Sequence, residues 1–203
     1  MKKKCEKLFG GLEMTWLCTV IFAAAAGLYT GLINEVPFLK NTSFTDIAVS
    51  FEWWILFAVI IAVNCKKPVE AGLKCFVFFL ISQPLVFFAE SFFSGNSVWG
   101  YYRYWLVITF LTLPGGMLAF FAKKQNIWGA LILSAATSLL AGTITYYISL
   151  MRYSGQHHVL TVIFCIAVIL VLTFTLQKES KRRILIGIIT AAAFAVSLFL
   201  TFR

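Results

Sequence analysis

The chain has 203 residues, 61% of them hydrophobic and only 12% charged, with a formal net charge of +9. Soluble domains are roughly 25% charged, so a chain this apolar cannot hide its surface in one water-soluble core, and lipid must be its solvent. The basic excess does not call for a nucleic-acid partner, because the lysines and arginines fall on alternate loops and suit the anionic lipid headgroups of a cytoplasmic face.

A spanning helix needs about 20 apolar residues, and seven apolar stretches fill most of the sequence. The expectation is therefore a single all-α domain over residues 1–203, a polytopic transmembrane bundle of seven spans. Lys2, Lys3, Lys4 and Lys7 precede the first helix, predicted over 12–33. A secretory signal begins in the same way. The apolar run from Met14 to Ile33 is long for one, so the helix is read as retained; cleavage near Ala26 is the alternative. Ala23, Gly27 and Gly31 form a stripe of small residues that permits close backbone approach.

The loop at 34–42 contains Pro37. Ser43 and Asp46 then have the spacing of a capping box, in which side chains satisfy the free amides of a helix start. The second helix is accordingly predicted over 44–64. Cys65-Lys66-Lys67-Pro68 is a tight turn into a third helix over 69–93, which carries Pro84. A Gly/Ser/Asn-rich loop leads to the fourth helix over 101–122, interrupted by Pro114-Gly115-Gly116. Helices over 127–151, 157–176 and 183–202 complete the set. The last carries a second small-residue stripe, Gly187, Ala191 and Ala195.

Thirteen of the 17 basic residues precede the first helix or fall near the turns that follow the second, fourth and sixth. Positive residues are held inside, which predicts a cytoplasmic N-terminus, an external C-terminus and a cell membrane as the location. Trp53, Trp54, Trp99, Tyr101, Tyr102, Tyr104 and Trp105 would form an aromatic belt at the outer boundary, with Trp16 and Trp128 at the inner one. No cysteine is placed for an oxidising compartment, so no disulfide is expected.

The residues that point to function are ionisable groups inside the span boundaries. Glu52 lies 12 residues from Asn64, about 18 Å of helix rise within a hydrocarbon core of roughly 30 Å. A charge at such depth costs at least about 2.5–3.5 kcal/mol. Glu52 should therefore face the bundle, with Arg103 as its counter-ion. Glu90, Gln83 and His157 would stand near it, with Tyr101 and Tyr104 at the mouth. The bland reading of Glu52 and Arg103 is an ion pair that staples helices. Pro84 and the Pro-Gly-Gly run would free backbone groups beside the site, or simply kink the helices. Gly-x-Ser-x-Gly, His-Glu-x-x-His, a P-loop and zinc spacings are all missing from the sequence, so no catalytic residue, metal or cofactor is expected.

Residues 50–88 resemble small polytopic membrane proteins of Gram-positive bacteria that carry no assigned activity, which implies a bacterial cytoplasmic membrane and carries over no functional residues. The length and the stripe at Ala23, Gly27 and Gly31 are similar to those of the substrate-binding subunits of energy-coupling-factor vitamin transporters. That similarity implies solute binding, although those subunits usually have six helices. The resulting expectation is a non-enzymatic component that binds or transports an unidentified small solute or ion through an outward-facing polar pocket. The alternatives are a scaffold docking a membrane protein or a second copy through one of the small-residue stripes, and a membrane enzyme acting on lipid.

Overall fold

The computed structural model describes residues 7–40, 42–46, 51–94, 99–155 and 157–203. Its helices are α1 Trp16–Asn34, α2 Glu52–Val63, α3 Pro68–Ser94, α4 Trp99–Ala119, α5 Ile127–Ser154, α6 Val159–Leu176 and α7 Ser180–Phe202. Short 3₁₀ turns run over Pro37–Leu39 and Phe120–Lys123. All of these helices except α2 are long and apolar enough to cross a membrane, so the chain is a helical integral membrane protein with six candidate spans.

α2 departs from expectation. It has 12 residues, about 18 Å of rise, against the 21 predicted over 44–64. Residues 42–45 form turns instead, and 47–50 lie outside the described residues. The capping box does not cap α2. Ser43 Oγ accepts the Thr161 N–H at 3.1 Å, in the first turn of α6, and Asp46 accepts the Thr161 hydroxyl. The first four amides of any helix need acceptors, and α6 takes one of them, Ser43 Oγ, from a segment more than 100 residues earlier. Its own N-cap, His158, makes no side-chain cap bond.

Long-range hydrogen bonds define the two ends of the bundle. At one end, Asn64 Oδ1 accepts from the Gly10 and Leu12 amides, and its Nδ2 donates to the Leu8 carbonyl. Lys123 Nζ donates to the Val63 and Cys65 carbonyls, and Gln177 Nε2 donates to those of Ala122 and Lys124. These bonds finish the exposed carbonyls of helix ends. At the other end, the Ser43 amide donates to the His157 carbonyl at 3.3 Å, and Asn34 Nδ2 donates to Glu90 Oε1 at 2.8 Å. The stretch from Asp46 to Asn64 thus leads from the second end to the first.

The helices form two groups. α1 packs on α3 and α3 on α4; α5 packs on α7 and α6. α2 touches members of both groups. Small residues set the first group's spacing. A Cβ on Gly27 would lie 2.5 Å from the Ser82 carbonyl oxygen, and one on Gly31 would lie 2.6 Å from Ala89 Cβ. The first stripe, with Ala23 also buried, is therefore spent inside the chain, where α1 meets α3. Gly72 and Gly116 do the same between α3 and α4, each backed by the facing helix within 3 Å of where a Cβ would stand. Both α3 and α4 run through their prolines, and Gly116 serves packing.

In the second group, Thr137 and Thr190 share a hydroxyl hydrogen bond of 2.7 Å between α5 and α7. The stripe on α7 is not used internally. Gly187, Ala191 and Ala195 are exposed, and a Cβ on Gly187 would meet nothing within 4 Å. The helix turns Ile186 and Thr190 inward instead.

Candidate functional site

The polar interior gathers around α2 and the start of α6. Glu52, the first residue of α2, has no exposed surface. Asp46 and His158 are both 3% exposed, and His158 Nδ1 stands 2.9 Å from the Asp46 carboxylate. Thr161, one helical turn beyond His158, completes the grip on Asp46. The Tyr147 ring of α5 packs 4.9 Å from the His158 ring, centroid to centroid. Cys165, a further turn along α6, lies within electrostatic reach of both Glu52 and Asp46. Asp46, His158, Thr161 and the Tyr147 ring are therefore in direct contact, and Cys165 stands within electrostatic reach of Asp46 and of the buried Glu52.

Aromatic packing seals this region. Trp53 stacks on Phe164 of α6 at 4.1 Å between ring centroids. Trp54 is buried against Phe57, Phe78, Phe79 and Trp105, so it belongs to the core and not to a headgroup belt. The reason is α2's central position, which leaves Trp54 no face toward lipid.

The residues singled out from the sequence do not all meet. Arg103 is exposed on α4, and no ion pair joins it to Glu52 among those between described residues. Tyr104 is 72% exposed and points away from the interior. The side chains of Trp99 and Tyr101 lie outside the described residues. Glu90 is buried on the other side of the bundle, held by Asn34 of α1. Gln83 is buried two turns away on α3, and its Nε2 has no hydrogen-bond partner among the described residues. His157 is exposed and contributes its backbone carbonyl to Ser43, while its neighbour His158 is the buried one. Successive side chains on a helical turn diverge by about 100°, so only one of the two histidines could face inward, and the sequence does not say which.

Asp46, His158, Thr161, Cys165 and Tyr147 were not in the expected set. Asp46 and Ser43 matched a local capping pattern, which hid their long-range role. The signal available was the i, i+3 spacing of His158 and Thr161, which puts an imidazole and a hydroxyl on one face of the α6 start.

The opposite end carries a separate charged site. Lys74, only 2% exposed, donates to the Met14 carbonyl and to Glu70 Oε1 at 2.6 Å, and its ammonium stands 5.3 Å from the Trp16 ring centroid. In the fold it ties the start of α1 to α3. Cys65 is buried beside this end, and its thiol donates to the Ile61 carbonyl. Among the described residues no cluster of three or more His, Cys, Asp or Glu could hold a metal ion.

Compared with known proteins, the chain matches no family model, no curated protein and no solved structure. Its function has to be argued from its own residues.

Proposed function

We propose that this protein is a solute- or ion-binding component of a membrane transport process, with Glu52 as the principal charged group. In this reading all seven helices cross the membrane. The N-terminus is cytoplasmic, the C-terminus is outside, and the Glu52–Asp46–His158 interior lies toward the outer face. The observation that carries it is a fully buried carboxylate at the head of the short helix that joins two three-helix groups. Sites in helical bundles form between facing helices, and buried ionisable residues in membrane proteins mark ion and solute pathways. The buried His158–Asp46 pair supplies further polar contacts in the same interior. Lys66, Lys67, Lys123, Lys124, Lys178, Arg182 and Arg183 all fall near the Asn64 end, which supports the orientation.

The test is a thermal-stability screen of the purified protein against small cations, amines and zwitterionic solutes. The expected result is a solute that stabilises the wild type and fails to stabilise Glu52→Gln. By mass action, saturation at about 100 times Kd adds roughly 2.7 kcal/mol. A Glu52→Gln protein that folds normally and keeps the full stabilisation contradicts the assignment.

A second reading, a scaffold that docks another membrane helix, is favoured by one specific observation: the exposed Gly187, Ala191 and Ala195 face of α7. Cross-linking to a partner that is lost in Ala191→Leu, with solute binding unchanged, would select it.

A further inference from the structure

Arg152, in the last turn of α5, and Arg203, at the end of α7, line one groove of about 680 Å³. Its floor is apolar: Ile148 from α5, and Ala195, Leu198 and Phe199 from α7. Both guanidiniums are laid over aromatic rings. Arg152 stands 5.1 Å from the Phe202 ring centroid, and Arg203 stands 5.9 Å from that of Phe199. Neither makes an ion pair or a side-chain hydrogen bond among the described residues. A basic residue at a helix C-terminus complements the helix dipole, and this applies to Arg152 and Arg203 alike. It does not account for the two exposed guanidiniums converging on one apolar trough, where like charges repel each other.

We infer that this groove binds one anionic phospholipid, with its phosphate between Arg152 and Arg203. The guanidinium fork matches phosphate oxygens bidentately, which a lysine ammonium does not. Stacking on Phe202 and Phe199 orients each fork without consuming its donors. Below the phosphate, the stretch from Ala195 to Phe202 provides about 10 Å of helix rise, room for the glycerol and the first part of an acyl chain. α7 suits this task, because Ile186 and Thr190 alone among its residues are buried and the face away from α5 is exposed. A zwitterionic lipid presents the same phosphate beside its own cation, which offsets the attraction.

The experiment is native mass spectrometry of the full chain in mild detergent, with equal amounts of dioleoyl phosphatidylglycerol and dioleoyl phosphatidylcholine. The wild type should retain the phosphatidylglycerol preferentially. The double variant Arg152→Gln/Arg203→Gln should lose that preference by about tenfold or more, as expected for removal of two charge-assisted contacts. Arg103→Gln, on a different helix, should keep it. Ala195→Trp, which fills the trough and leaves both arginines in place, should also exclude the lipid, so the proposal stays testable if the double variant folds poorly. Equal retention of the two lipids by the wild type, or preference persisting in both groove variants, overturns it. Displacement of the lipid by millimolar inorganic phosphate alone would overturn it too, and would assign the arginines to free phosphate.

Discussion

At the residue scale, the fold depends on a few polar side chains that finish helix ends far away in sequence. Asn64, Lys123 and Gln177 each hold two or more backbone groups from other segments. None of these roles can be read from local sequence, because an Asn or Gln beside a turn looks the same whether it faces water or a neighbouring carbonyl. Cys65 sits among them. Burial pushes its thiol from the ordinary 9.0 up to about 11, with Lys74 pulling the other way. The sign follows from linkage: a thiol raised on folding contributes stability fully below about pH 9, and that contribution is lost as the pH rises through about 11. At pH 8 its thiolate fraction, and so its rate of alkylation, should be about a hundredfold below that of a free cysteine. The check is iodoacetamide labelling of a variant that keeps Cys65 as its sole cysteine. The rate should climb beyond pH 10, whereas a plateau near pH 9 would show a solvated thiol.

At the element scale, helix number and most boundaries were legible because apolar run length, proline and basic turns report them directly. α3, α5 and α7 begin and end within three residues of expectation. α2 was misjudged because its start was inferred from Ser43 and Asp46, whose side chains serve α6. The two small-residue stripes look equivalent in sequence and are used in opposite ways. Gly27 and Gly31 lie against α3, while Gly187 faces outward. Gly27→Ala should therefore force α1 and α3 apart and lower stability by about 1–3 kcal/mol. Gly142→Ala on α5, where an added Cβ meets nothing within 4 Å, should not lower it. Thermal unfolding in detergent compares the two, and equal melting temperatures would mean that the α1–α3 contact is looser than described.

At the scale of the whole molecule, composition and alternating charge were enough to read a helical membrane bundle, but not the division into two three-helix groups with α2 between them. That division depends on which faces meet, and helices apolar on every side give no face to read. It also decides the candidate site. Depth alone argued for Glu52 in the interior, where it is fully buried, with Cys165 of α6 within electrostatic reach, whereas Arg103 is exposed on α4. The site reading rests on the stretch from Asp46 to Asn64 being a full membrane crossing, which puts the carboxylates and His158 toward the outside. Reporter fusions at the two termini test this directly. The account predicts a fluorescent, cytoplasmic N-terminal fusion and an active alkaline phosphatase, which works only outside, when fused after Arg203. Two cytoplasmic termini would mean an even number of crossings and would contradict it.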